Sequence, residues 1–185
     1  MSKKIIVVFH SGYGHTKRMA EAVANGAGAS LLPIDAEGNL PEGGWEQLAA
    51  ADAIIMGSPT YMGSVSWQFK KFADASSKPW YQEAWKDKIA AGFTNSASMN
   101  GDKHSTLHYL ITLAMQHSMI WVGTGMLPSN KKSATRNDIN YVASSSGAMA
   151  STPSDASVDE MLPGDLETAR LFGQRVAEVT AKVRG

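Results

Sequence analysis

Three short stretches of this sequence gather hydroxyl, amide and glycine residues in a pattern suited to a small anionic ligand. They are Ser11-Gly12-Tyr13-Gly14-His15-Thr16, Ser58-Pro59-Thr60-Tyr61-Met62-Gly63-Ser64 and Thr94-Asn95-Ser96-Ala97-Ser98-Met99-Asn100-Gly101. The first follows an apolar, β-branched run over residues 5–9. It precedes a segment with Met19, Ala20, Val23 and Ala24 at helical spacing. Strand, short loop and helix in that order leave the helix's first N–H groups unpaired, and with the helix dipole they favour an anion. Ser11 and Thr16 add hydroxyl donors, and Gly12 and Gly14 let the backbone approach a ligand closely. The chemistry indicated is phosphate binding.

The motif narrows which phosphate. GxxxxGK[ST] is absent, which disfavours a magnesium-nucleotide hydrolase. Gly12 and Gly14 open a GxGxxG, but Lys17 stands at its third glycine; Asp35 lies where a dinucleotide fold puts its ribose-binding acid. A loop rich in hydroxyls and without an obligatory lysine suits a phosphate monoester, and flavin mononucleotide (FMN) is the leading candidate. Plainer readings stand beside this one. Gly12 and Gly14 can serve as turn glycines, Ser58-Pro59-Thr60 as a helix entry, and Trp80 as a packing residue. His104 and His108 stand at i, i+4, yet no acidic residue has matching spacing, so no metal is expected. Lys70 and Lys71 read as a solvated face.

The elements that must position these loops alternate along the chain. Strands are expected over residues 5–9, 30–34, 53–57, 88–93 and 119–122. Helices are expected after the first loop and over residues 45–50, 65–75, 103–117 and 165–183, the last capped by Asp165. Residues 123–163, rich in Ser, Gly, Asn and Pro, read as a long loop: a lid, an oligomer contact or a mobile segment. The alternation predicts one α/β domain over residues 1–185, a doubly wound five-stranded parallel sheet with helices on both faces. Ligands of such sheets bind at the carboxyl ends of the strands, where all three loops fall.

Composition excludes several function classes. Seventeen Lys plus Arg balance seventeen Asp plus Glu, which argues against nucleic acid as the main partner. There are no cysteines, so disulfides, thiolate metal sites and thiol redox chemistry are excluded. The first strand starts too near the N-terminus for a signal peptide, and no apolar stretch approaches a membrane span. A cytoplasmic protein without a membrane partner is expected.

At the three loops the sequence resembles the flavodoxin-like NAD(P)H:quinone oxidoreductases, the family first named for a tryptophan-repressor-binding protein. Four segments carry the resemblance in order: SGYGHT, GSPTYMGSVSWQFKKFAD, FTNSASMNGDKHSTL and QHSMIWVG. It implies a flavodoxin-like fold and an FMN enzyme that passes two electrons from NADH or NADPH to a quinone by ping-pong kinetics. It also implies residue roles. Ser11, Gly12, Tyr13, Gly14, His15 and Thr16 would wrap the FMN phosphate. Pro59, Thr60, Tyr61, Met62 and Gly63 would line the ribityl chain and one side of the ring, and Thr94, Asn95, Ser96, Ala97 and Gly101 would offer donors to its polar edge. Trp80 would stand beside the open flavin face and His117 would complete the pocket from a neighbouring segment; His117 and Tyr61 would steer protons or quinone oxygen. The insertion between strand 2 and helix 2 that helps longer members form tetramers is missing here. A homodimer is therefore expected, with a tetramer the alternative. Tyr61 and Met62 replace the arginine and phenylalanine common at the second loop.

Three rival functions fit the same fold. A flavodoxin-type electron shuttle would meet basic partners through a strongly acidic surface, which the 17-to-17 balance lacks. A reductase of free flavin, azo dyes or ferric chelates would use the same hydride step. A non-enzymatic interaction protein would have lost the flavin, against which the Ser and Thr residues kept in all three loops argue.

Overall fold

The computed structural model describes residues 3–185 and is a doubly wound sheet of the flavodoxin type. The chain runs β1 (Ile5–Phe9), α1 (His15–Ala27), β2 (Ser30–Pro33), α2 (Gly44–Ala49), β3 (Ala53–Tyr61), β4 (Ser64–Val65), α3 (Trp67–Ala75) and α4 (Ser77–Tyr81). It continues through β5 (Ile89–Ser96), α5 (Lys103–Gln116), β6 (Ile120–Trp121), β7 (Ala148–Ser151), a 3₁₀ turn (Val158–Glu160) and α6 (Pro163–Val183). The strands lie in the order β2-β1-β3-β5-β6, all parallel. No helix among the described residues is long and apolar enough to cross a membrane.

Alternation along each buried strand builds a core on each face. Ile5, Val7 and Phe9 point to one face, against Met19 and Val23 of α1 and Phe172 and Val176 of α6. Ile6 and Val8 point to the other, with Phe69, Phe72, Trp85, Leu107 and Leu110. A strand covered on both faces must be apolar at every position, which is why residues 5–9 read as an unbroken hydrophobic run.

The sheet has the five expected positions, but its edge is filled by two segments. β6 pairs with the start of β5 (Ile89↔Ile120, Ala90↔Trp121), and β7 pairs with its end (Phe93↔Ala148 through Ser96↔Ser151). The segment between them leaves the sheet edge and returns to it. Residues 123–163, expected to be a loop, thus contain a strand that extends the sheet toward its carboxyl end. The small apolar run Ala148-Met149-Ala150 is its sequence signal.

Three further expectations are corrected. β3 continues four residues past Gly57, and Thr60-Tyr61 pairs antiparallel with Ser64-Val65, so residues 58–64 form a β-hairpin rather than a loop. Met62 and Gly63, both at positive φ, make its two-residue turn. Val65 lies in β4, and Ser66 caps α3 by accepting the Phe69 N–H. Asp165 does not cap α6. The helix begins at Pro163, whose missing N–H costs nothing at a helix start, and Asp165 is buried inside the first turn.

Helices α1 and α6 cross at glycines. A Cβ on Gly173 would lie 2.0 Å from the Val23 carbonyl oxygen, and one on Gly26 would lie 1.8 Å from that of Arg170. Backbone cannot yield there as a side-chain tip can, so Gly173→Ala must push the helices apart. We expect it to lower stability by about 1–3 kcal/mol, read as a lower urea midpoint at unchanged m-value.

Candidate functional site

The carboxyl ends of β1, β3, β5 and β7 meet at a cleft of about 390 Å³, within the range of small-molecule sites. Its walls are Tyr13, His15, Thr16, Pro59, Thr60, Tyr61, Asn95, Ser96, Ala97, Thr152 and Ser154. No lysine, arginine or carboxylate is among them. Nine of these eleven come from the three loops singled out in the sequence. Thr152 and Ser154 come from a fourth, the turn after β7. Its sequence, Ser151-Thr152-Pro153-Ser154-Asp155-Ala156-Ser157, is as hydroxyl-rich as the others, but nothing in it shows that a strand precedes it.

The first loop makes the entry to α1. Gly14, at φ +94°, is its N-terminal boundary, and the Ser11 Oγ accepts hydrogen bonds from the N–H groups of Gly14 and Lys17, each at 3.1 Å. That leaves the Ser11 proton free to donate outward. The N–H groups of Tyr13, His15 and Thr16 have no hydrogen-bond partner among the described residues. The His15 Nε2 lies 2.9 Å from the Ala156 carbonyl oxygen, and Val158 packs against Gly14, so the fourth loop braces the first.

The remaining predicted residues divide by where the fold turns them. Tyr61 lies over the first loop, its ring edge-on to Tyr13 and its hydroxyl beside Gly12. Partial burial, and next the neighbouring Tyr13, push the Tyr61 pKa up, while the Gly12 N–H opposes this; Tyr61 stays protonated at neutral pH. Thr94 does not face the cleft. Its hydroxyl pairs with that of Thr60 at 2.8 Å, and Thr60 pairs with Thr106 of α5 at 2.7 Å. Those two threonines join β3, β5 and α5 instead of offering donors to a ligand, and Thr60 meets the cleft without a free hydroxyl. Asn95 accepts from Thr152 at 3.0 Å, which leaves its NH₂ group available. Gly101 packs behind Ser96, and Met62 and Gly63 form the exposed hairpin tip.

Within one chain, Trp80 and His117 are not brought to this cleft. Each crossover helix returns the chain to the amino end of the sheet, so α4 and the C-terminal end of α5 lie at the opposite pole. There Trp80 and His117 line a separate cavity of about 370 Å³, with Lys70, Asp74, Ser76 and Tyr109. His117 is buried against Trp85, ring centroids 4.2 Å apart. Its Nε2 lies 2.8 Å from the Ser76 Oγ; that hydroxyl donates to the Ala73 carbonyl, so the Nε2–H donates to Ser76 and Nδ1 is a buried acceptor without a partner.

Burial lowers the His117 pKa to about 4. An unfolded histidine titrates near 6.5, so the unfolded state takes up the proton first as pH falls. Stability present above pH 6.5 is therefore lost between about 6.5 and 4, by roughly 3 kcal/mol at most. His10, also buried, shifts in the same direction. His117→Gln should flatten this slope without abolishing it, seen in urea midpoints measured from pH 7 to 4.5.

Comparison with known proteins agrees with the geometry. Residues 44–134 match the family model described as NADPH-dependent FMN reductase. The chain is 54% identical over 176 residues to flavodoxin FldP of Pseudomonas aeruginosa, covering 95% of this chain and 96% of that one. It is 33% identical over 207 residues to an NAD(P)H dehydrogenase (quinone) of Geobacter sulfurreducens, covering 98% and 99%. It is also similar to the crystal structure of the flavodoxin, WrbA-like protein from Agrobacterium tumefaciens, with a TM-score of 0.80 and 56% identity over 98% of this chain and 99% of that one.

Proposed function

The chain belongs to the flavodoxin-like NAD(P)H:quinone oxidoreductase family of the WrbA type, and from that premise we propose that its cleft carries two electrons from NAD(P)H to a quinone in alternate half-reactions. FMN is the cofactor and NAD(P)H the electron donor. When bound, the flavin supplies the electron chemistry; the protein supplies binding, orientation and field.

The observation that carries the reading is the set of N–H groups at the start of α1 that the fold leaves unpaired. Thr16 is buried and His15 half-buried, where donors without partners are costly, and an anion satisfies them together with the more exposed Tyr13 N–H. With no lysine or arginine in the cleft, a phosphate would be held by the Tyr13, His15 and Thr16 N–H groups, the Ser11 hydroxyl and the dipole of α1. Pro59 and Tyr61 would wall the ring, and the Asn95 amide, Ser96 and Thr152 would meet its polar edge. Tyr61, protonated at neutral pH, would donate to an acceptor's oxygen. Trp80 and His117 would act only at the cleft of a second copy, which fits a homodimer. A cytoplasmic setting matches NAD(P)H as donor.

A second reading has one observation in its favour: the 54% identical relative is named a flavodoxin. An electron carrier would use the same cleft but ignore pyridine nucleotides.

A visible spectrum of purified protein, then anaerobic titration with NADH and NADPH, separates the two. Flavin bands that bleach in one two-electron phase and return on adding benzoquinone support the reductase. Bands that ignore both nucleotides, yet pass through a one-electron-reduced form with dithionite, support the carrier. Absence of flavin after soaking with FMN would remove both. Ser11→Ala, which loses a phosphate donor and the loop's internal brace, should weaken FMN binding roughly tenfold by fluorescence titration.

A further inference from the structure

Behind the Asn95–Ala97 wall of the cleft lies a charged cluster with one cation in excess. Lys103, the first residue of α5, is fully buried. Its ammonium donates to the Ser96 Oγ at 2.9 Å and the Ser98 carbonyl at 2.5 Å, and no carboxylate among the described residues lies within 4 Å of it. Asp165 supplies the negative charge that acts on it, and that carboxylate is already engaged. Its Oδ2 accepts from the Arg136 Nη2 at 2.7 Å and from the Ser151 N–H at 2.9 Å. Arg136 also donates to the Ser151 carbonyl, and its Nη1 is buried without a partner. Two cations thus share one carboxylate, and Ser96 and the Ser151–Thr152 pair link them to the cleft surface.

The position of Lys103 is electrostatically adverse in the fold alone. A helix N-terminus carries partial positive charge and disfavours a cation. Burial adds a further penalty and lowers the Lys103 pKa to about 8; Asp165 partly offsets this and Arg136 adds to it. Lys88, the other buried lysine among the described residues, is placed the favourable way. Its ammonium sits at the C-terminal end of α2 and donates to the carbonyls of Leu48, Ala49 and Ala51. A buried cation at the wrong end of a helix, beside a cleft, indicates a missing anion.

We propose that Lys103, with Arg136 and Asp165 behind it, is a positioning residue whose uncompensated charge stabilises the negative charge that two-electron reduction leaves at the polar edge of the flavin. This rests on the FMN reading given above. Hydride transfer from NAD(P)H delivers two electrons and one proton to the flavin. One negative charge stays on the ring unless a second proton follows, and the Lys103 charge acts on it across Ser96, whose own hydroxyl donates to the Ser98 carbonyl at 3.2 Å. The same charge makes the cluster select the reduced over the oxidised cofactor.

Measuring oxidised-FMN affinity together with the midpoint potential of bound FMN, against a reference dye, tests this. Lys103→Met removes the charge at similar volume and should raise the ratio of reduced-FMN to oxidised-FMN dissociation constants roughly tenfold, lowering the potential. Asp165→Asn removes the anion and should move that ratio the opposite way. Opposite shifts support the proposal, since loosening of the loop alone would move both variants together. Shifts of one sign, or none in protein that binds FMN, overturn it. Should either variant fail to fold, the wild-type chain decides. Its potential should fall more steeply with pH above about 8, by one proton per two electrons, as Lys103 loses its proton in the oxidised form. A constant slope through that region overturns the proposal. Wild-type protein that takes up no FMN would overturn the function reading itself, and the proposal with it.

Discussion

The parallel pairing of β3 with β1 on one side and β5 on the other is the constraint on which the rest depends. These strands are covered on both faces, so their backbone groups must pair within the sheet and their side chains must be apolar. The register sets Phe9 beside Gly57 and Gly57 beside Phe93, so β3 and β5 run four and three residues past the end of β1. Polar side chains first surface there. The cleft is the seam where an apolar sheet gives way to hydroxyls and amides. Thr60, Thr94 and Thr106 hold those strand ends by pairing their hydroxyls inside the wall.

Braces from distant sequence make the seam rigid. Ser11 closes the first loop on itself, while His15 reaches the Ala156 carbonyl and ties it to the turn after β7. β7 is placed by its ladder to β5, and by the Asp165 carboxylate that accepts the Ser151 N–H from α6. The helix crossing at Gly26 and Gly173 brings α6 close enough for that contact, because no Cβ separates the two backbones. Packing at one layer thereby positions donors at another.

The two poles of the sheet differ in character. The carboxyl pole offers unpaired backbone donors and uncharged side chains around an open cleft. The amino pole holds Trp80 at half exposure and His117 buried against Trp85, around a cavity that also contains Lys70 and Asp74. A crossover helix spans the full depth of the sheet, so residues at its two ends cannot share a pocket within one chain.

The sequence by itself determined the alternation of elements, the run of residues 5–9 as a strand buried on both faces, and three of the four loops that meet at the cleft. Each of these is written in local periodicity or in a loop's own composition. Only the tertiary structure decided that Thr94 turns inward, since its neighbour across β3 and α5 is a matter of register. The split edge strand left only a faint signal in Ala148-Met149-Ala150, because a four-residue segment acquires a strand's identity only from the ladder it joins. Trp80 and His117 matched the expected residue types, but the direction in which α4 and α5 carry them is a property of topology. Lys103 is placed by the sequence only at the start of a helix; its burial, and the charge of Asp165 from 62 residues away in sequence acting on it, come from the tertiary structure.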